Sequence, residues 1–148
     1  MTCPPHILLV ESLYYTHIAA ELRRGAERAL AAVGATHERI AVPGAFEIPA
    51  AIGIAGRASD HFDGFVALGC VIRGETTHYD HICAESARGL QDLAIRDGLA
   101  IGYGILTVEN EAQALARASP DGRDKGGEAV RACLAIVDLK RRLAGNGG

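Results

Sequence analysis

Lysine is almost missing from this chain: among 148 residues only Lys125 and Lys140 occur, neither at the end of a β-rich run, which weakens any enzyme–lysine Schiff base. Basic residues are not in excess either. Fifteen Lys and Arg against eighteen Asp and Glu give a net charge of -3, and no block of like charge stands out, so there is no electrostatic footprint for nucleic acid. No apolar run approaches the length of a membrane span, and no basic segment followed by a long apolar stretch opens the chain. A cytoplasmic protein with no membrane partner is expected. The four cysteines lie far apart, with no C-x-x-C pair, and read as free thiols, two of them on core faces. His78, Asp80, His81 and Cys83 are close in sequence but lack a recognised ligand spacing, so no metal is assigned. There is no Gly-Lys-Ser/Thr loop, no Gly-x-Ser-x-Gly elbow and no glycine fingerprint for a dinucleotide. Nucleotide hydrolysis, serine hydrolysis and dehydrogenation lose support accordingly.

What is present is a regular alternation of short β-rich runs with longer helical patterns, the mark of an α/β chain with a parallel sheet and helices on both faces. With 49% hydrophobic residues, the chain reads as one domain over residues 1–148. Strands are expected at 6–11, around 37–42, at 65–72 and at 100–108. The first helix carries Ile18, Leu22, Ala26, Ala29, Leu30 and Val33 at helical spacing until Gly34 stops it. Others are expected after Pro49 to about 58, over about 78–97, from 109 to 118, and over about 125–143, with residues 145–148 fraying.

The most informative stretch is 69–81, where a nearly continuous apolar run ends in glycine, hydroxyls, a guanidinium and two imidazoles. An apolar run of this kind suits a central parallel strand buried on both faces, so the reactive groups collect at its carboxyl end. Gly74 permits a tight turn, and Thr76-Thr77-His78 can open a helix whose unpaired N–H groups favour an anion. In an open parallel sheet every strand-to-helix junction faces the same edge. That edge should gather Leu13-Tyr14-Tyr15, Ala45-Phe46-Glu47, residues 70–78 and Thr107-Val108-Glu109-Asn110. Aromatics there can stack on a flat heterocycle, main-chain groups can read its edges, and Glu47 can accept hydrogen bonds from hydroxyls. Each has a plainer reading: Tyr14 and Phe46 as packing residues, Glu47 as a complement to a helix start, Thr76 and Thr77 as caps, Arg117 as a solvent-facing cation. His78 is the best proton-transfer candidate, with His81 a turn further on reading as structural.

Three motifs together resemble the lumazine synthase family: Val42-Pro43-Gly44-Ala45-Phe46-Glu47-Ile48-Pro49, the run 69–80, and Gly104-Ile105-Leu106-Thr107-Val108-Glu109-Asn110. Asp124-Lys125-Gly126-Gly127 adds to them, and the likeness extends over residues 6–143. The resemblance implies a flavodoxin-like three-layer sandwich with a four-stranded parallel sheet. It also implies a cofactor-free transferase of riboflavin biosynthesis that condenses 5-amino-6-(D-ribitylamino)uracil with 3,4-dihydroxy-2-butanone 4-phosphate to 6,7-dimethyl-8-ribityllumazine. By position, Tyr14 would stack on the pyrimidine, while Ala45, Phe46, Glu47, Cys70, Val71 and Ile72 would hold its edge and ribityl chain. Glu75 and Thr76, through their backbone, and Arg117 would hold phosphate, supported by Lys125. His78 would move protons, and Tyr103 would flank the ring from a neighbouring subunit along with Arg117. The substrate amine would do the work of the missing lysine.

Two departures from the family pattern are visible. Leu13-Tyr14-Tyr15 stands where Arg-Phe-Asn is common, and Glu75 stands where a small residue is usual. Family members form pentamers and sometimes sixty-subunit shells. Residues 119–124 lack the Gly-x-Lys-x-Gly-Asn type associated with shells, and only about five residues precede the first strand, so an isolated homopentamer is expected. A non-catalytic flavin or lumazine carrier of the same fold, or a module acting through protein contacts, are the competing readings.

Overall fold

A computed structural model describes residues 3–145. Four parallel strands, β1 (His6–Ser12), β2 (Thr36–Val42), β3 (Gly64–Ile72) and β4 (Ile101–Val108), form one sheet in the order β2-β1-β3-β4. Between and after them run α1 (Thr16–Ala32), α2 (Ile48–Ala58), α3 (His78–Asp97), α4 (Glu111–Ala118) and α5 (Lys125–Gly145). The expected α/β, three-layer arrangement is therefore what this sequence forms.

The two-residue period of the strands sorts their side chains between two cores. Ile7 and Leu9 of β1, with Val66, Leu68 and Cys70 of β3, pack under α1, α4 and α5. Leu8 and Val10, with Phe65, Ala67 and Val71, pack under α2 and α3 around Ile48, Ile52 and Leu90. Because β1 and β3 are covered on both faces, their sequences are apolar without alternation.

α5 sits unusually close to its neighbours, and glycines allow it. A Cβ on Gly102 would lie 2.0 Å from the Ala129 carbonyl oxygen, and one on Gly126 would lie 2.1 Å from that of Leu22. Asp124, at φ +50, closes the preceding turn and accepts a hydrogen bond from the Gly127 N–H at 3.3 Å.

Some boundaries differ from the expected ones, each for a local reason. α4 starts at Glu111 rather than at 109, because the Asn110 side chain accepts from the Gln113 N–H at 2.9 Å and caps the helix there. Val33, placed on the buried stripe by spacing, is exposed: the chain leaves the helix at this residue and Gly34 takes φ +72. α5 continues through Gly145, where fraying was expected, while residues 146–148 lie outside the described region. α3 buries only Ser86 and Leu90 fully, leaving Ile82, Ala87 and Leu93 half-covered.

Cys70 and Cys133 are the two core thiols, Cys83 is half-buried and Cys3 exposed, and all four are free. Burial pushes the Cys133 thiol up to about 12, and its Sγ donates to the Ala100 carbonyl at 3.6 Å. The folded protein thus holds a proton that the unfolded chain, titrating from 9.0, gives up first. Stability should fall as pH rises above about 9, with this thiol contributing up to about 1.4 kcal/mol per pH unit. Unfolding curves at pH 8 and pH 10 test this: the loss between them should be smaller in Cys133→Ala than in the parent, and equal losses would refute it.

Candidate active site

The strand order turns back between β1 and β3, since β2 lies on one side of β1 and β3 on the other. Such a switch leaves a crevice beyond the carboxyl ends of the two strands. A cavity of about 620 Å³ occupies that place. Its floor is Ser12 at the end of β1 together with Cys70, Val71 and Ile72 at the end of β3. The segment from Pro43 to Glu47, which includes a short 3-10 turn over Ala45–Glu47, forms one wall. Tyr14 and Tyr15 form another, and His78 with Ile82 at the start of α3 forms the third.

Aromatic exposure decides between packing and binding for two residues. Tyr14 is 74% exposed and Phe46 56%, so neither is a core residue, and both stand at the cavity mouth. Tyr14 meets Tyr15 edge-on with centroids 4.9 Å apart, which steadies the pair. Glu47 ends the 3-10 turn at the head of α2 without making a side-chain cap bond, leaving its carboxylate free to face the cavity.

Charge in the cavity is sparse. Burial pushes the Cys70 thiol up to about 12, so it stays protonated, and burial first, then Cys70 and Tyr14, raises the Tyr15 phenol. Neither Cys70 nor Tyr15 is an ionised nucleophile near neutral pH. Chemistry here therefore falls to an imidazole, a carboxylate and whatever reactive group the ligand brings.

The loop from β3 to α3 is anchored at its start. Arg73 Nε donates to Glu109 at 2.8 Å, and its guanidinium lies 4.3 Å over the Tyr79 ring. Thr76 Oγ1 accepts from the His78 N–H at 3.3 Å, whereas Thr77, at the N-cap, makes no side-chain cap bond. One of the two threonines thus acts in the turn and the other leaves the helix start open.

Of the residues singled out from sequence, the cavity brings together Tyr14, Ala45, Phe46, Glu47, Cys70, Val71, Ile72 and His78. It does not include Glu75 or Thr76, which stand exposed on the adjoining loop, nor His81. Arg117, near the end of α4, donates to the Gln113 carbonyl at 3.1 Å, and Lys125, at the head of α5, pairs with Glu128 at 3.1 Å. Tyr103 lies on β4, in a second cavity of about 460 Å³ between that strand and α3. Ser12 lines the site and went unnoticed in the sequence; its signal is a hydroxyl closing an otherwise apolar strand.

A three-layer α/β chain with an aromatic-walled cleft at its topological switch, lined by one imidazole and one carboxylate, defines an α/β protein with a small-molecule-sized site at its strand ends. A profile of the 6,7-dimethyl-8-ribityllumazine synthase family matches residues 4–141. The chain is 54% identical over 144 residues to 6,7-dimethyl-8-ribityllumazine synthase 1 of Rhizobium meliloti, covering 95% of this chain and 94% of that one. It is 52% identical over 145 residues to the synthase of Agrobacterium fabrum, covering 95% and 98%, and 55% identical over 138 residues to that of Sphingopyxis alaskensis, covering 93% and 96%. The chain belongs to the 6,7-dimethyl-8-ribityllumazine synthase family, and with it to the transferases.

Proposed function

We propose that the cleft between β1, β3 and the segment after β2 is where 5-amino-6-(D-ribitylamino)uracil condenses with 3,4-dihydroxy-2-butanone 4-phosphate. The observation that carries the assignment of roles is the single cavity shared by Tyr14, Phe46, Glu47, the Cys70–Ile72 backbone and His78. The pyrimidine stacks against the exposed aromatics, the ribityl hydroxyls donate to Glu47, and the strand-end amides and carbonyls read the ring edge. The substrate's own 5-amine attacks the ketone. Water leaves as the imine forms, phosphate leaves by elimination, and the second amine closes the ring on the carbonyl that elimination unmasks, releasing a second water. His78 carries protons between these centres, and no protein nucleophile is needed. Most of the acceleration comes from holding two reactants in register.

Phosphate falls to the Glu75–Thr76 backbone at the open start of α3, with Arg117 and Lys125. In this chain Arg117 stands outside the cavity, so a neighbouring subunit supplies it, along with Tyr103. The partly bare α3–β4 face supports that assembly: Tyr103 is 47% exposed on an edge strand beside a cavity floored by Leu90 and Ile101. Edge strand β2, by contrast, carries His37, Glu38 and Arg39, charges that discourage pairing. A homopentamer acting as one-domain subunits in the cytoplasm is the assembly we favour. Among the described residues no helix is long and apolar enough to cross a membrane.

The test is lumazine formation from the two substrates above the spontaneous rate. Arg117→Ala should raise KM for the phosphate substrate about 10- to 100-fold, the worth of a lost hydrogen bond to a charged group. Co-assembling Arg117→Ala with His78→Ala subunits should restore about a quarter of wild-type sites, because half-sites then combine at random around the ring. An unchanged KM, or mixed assemblies as inactive as either variant alone, would reject the shared site. A carrier that only binds lumazine would give no rate above background in any form.

A further inference from the structure

At the amino end of the sheet, away from the cleft, three side chains from distant parts of the chain converge. His6 opens β1, Glu38 lies on β2, and His61 precedes β3. Glu38 Oε2 is 2.7 Å from His6 Nε2 and 2.7 Å from His61 Nε2. All three ligand atoms lie within 4.8 Å of one another, and this is the one such His/Cys/Asp/Glu grouping among the described residues. We propose that His6, Glu38 and His61 form a divalent-metal site of the zinc type, with solvent as fourth ligand.

The supporting contacts are those a ligand set needs. His6 Nδ1 is 2.7 Å from Thr36 Oγ1. A proton on Nδ1 donated to that hydroxyl leaves the Nε2 lone pair directed at the carboxylate oxygen, where a cation between them removes the repulsion. Phe62 stacks on the His6 ring at 5.3 Å, and the His61 ring meets the same His6 ring edge-on at 4.7 Å. The His6 backbone is held as well: its N–H donates to Asp63 at 2.8 Å, and its carbonyl accepts from the Asp63 N–H at 2.8 Å. Parallel register fixes the rest, with His6 opposite Thr36 and Leu8 opposite Glu38, so that Thr36 and Glu38 share one face of β2.

Tetrahedral zinc with Zn–N and Zn–O bonds near 2.0–2.2 Å separates its ligand atoms by about 3.4 Å. Each 2.7 Å edge must therefore open by about 0.7 Å. Glu38 and His61 are more than half exposed and can give that much by small rotations. Two neutral imidazoles and one carboxylate also suit zinc over calcium or magnesium, which take oxygen ligands. The role is a clamp, joining the starts of β1 and β2 to the connection before β3. It is not catalytic, because the seven residues of β1 separate it from the cleft.

The competing occupant is a proton, with protonated imidazoles sharing Glu38. Titration of chelator-treated protein with Zn²⁺ by calorimetry, and with Co²⁺ by visible absorption, distinguishes them. One ion per chain is expected, with tetrahedral Co²⁺ bands and a Zn²⁺-dependent rise in Tm. Thr36→Val should weaken binding about 10-fold, the usual cost of losing an outer-shell partner, and His61→Ala and Glu38→Gln by more. Lumazine formation should be the same with and without chelator, so this result stands apart from the assignment of the cleft. Absence of stoichiometric binding, or binding unchanged in both His61→Ala and Glu38→Gln, would overturn the site and leave the proton as its occupant.

Discussion

Gly126→Ala is expected to lower the Tm by about 10 °C, and Gly102→Ala by a comparable amount. The two glycines admit α5 to the sheet and to α1. A methyl group at 126 would sit 2.1 Å from the Leu22 carbonyl oxygen and 3.0 Å from its carbon, and one at 102 would sit 2.0 Å from the Ala129 carbonyl oxygen. In both cases the obstacle is helix backbone, which cannot rotate aside as a side chain would. α5 would have to lift, loosening the burial of Ala129, Val130 and Cys133. Overpacking of this sort costs about 3 kcal/mol, and a chain of this length loses roughly 3 °C per kcal/mol. Gly145→Ala is the control: it lies in the same helix with nothing within 4 Å of its Cβ position, so its Tm should be unchanged or slightly raised. Calorimetry on the assembled protein would decide, and a Gly126→Ala Tm within a degree of the parent would show that the crossing is looser than the structure has it.

These glycines also mark where the sequence stops being informative. Their type is plain in Asp124-Lys125-Gly126-Gly127 and Gly102-Tyr103-Gly104, but a close approach of α5 to α1 depends on which helices share a layer, and nothing local states that. By contrast β1 and β3 are legible because burial on both faces is written into composition as unbroken apolar runs, and α3 because His78–Asp97 lies between a turn and Gly98 at φ +64. The cleft is legible for a related reason. Parallel strands send every βα junction to one edge, so Tyr14, Phe46, Glu47 and His78 could be grouped without knowing the strand order. Arg117 and Tyr103 could not be placed by that logic, since one sits in the last turn of a helix and the other within a strand. The His6–Glu38–His61 group was invisible: its members are separated by more than twenty residues each and meet only through the pairing of β1 with both β2 and β3. His78, Asp80, His81 and Cys83, by contrast, are close in sequence only because they are neighbours along α3.

His78→Ala should reduce kcat about 100-fold while leaving KM for both substrates little changed. The effect follows from where the residue stands. His78 is the first residue of α3 and the one imidazole lining the cavity. Cys70 and Tyr15 are poor shuttles near neutral pH, since burial holds the Cys70 thiol at about 12 and raises the Tyr15 phenol, and Glu47 is assigned to the ribityl hydroxyls. General acid–base assistance is worth roughly 10²- to 10⁴-fold, and the lower end applies because an exposed position lets water and buffer take over part of the transfer. The same exposure gives a diagnostic: added imidazole should restore part of the lost kcat in His78→Ala. Phe46→Ala should show the opposite signature. A stacking contact is worth about 0.5–1.5 kcal/mol beyond area burial, so KM for the pyrimidine should rise about 3- to 10-fold with kcat nearly intact, because ground state and transition state are held alike. Steady-state kinetics on the two variants separates proton transfer from ring binding. Wild-type kcat in His78→Ala, or a loss that imidazole leaves untouched while KM rises, would remove His78 from the chemistry and leave it a wall of the cleft.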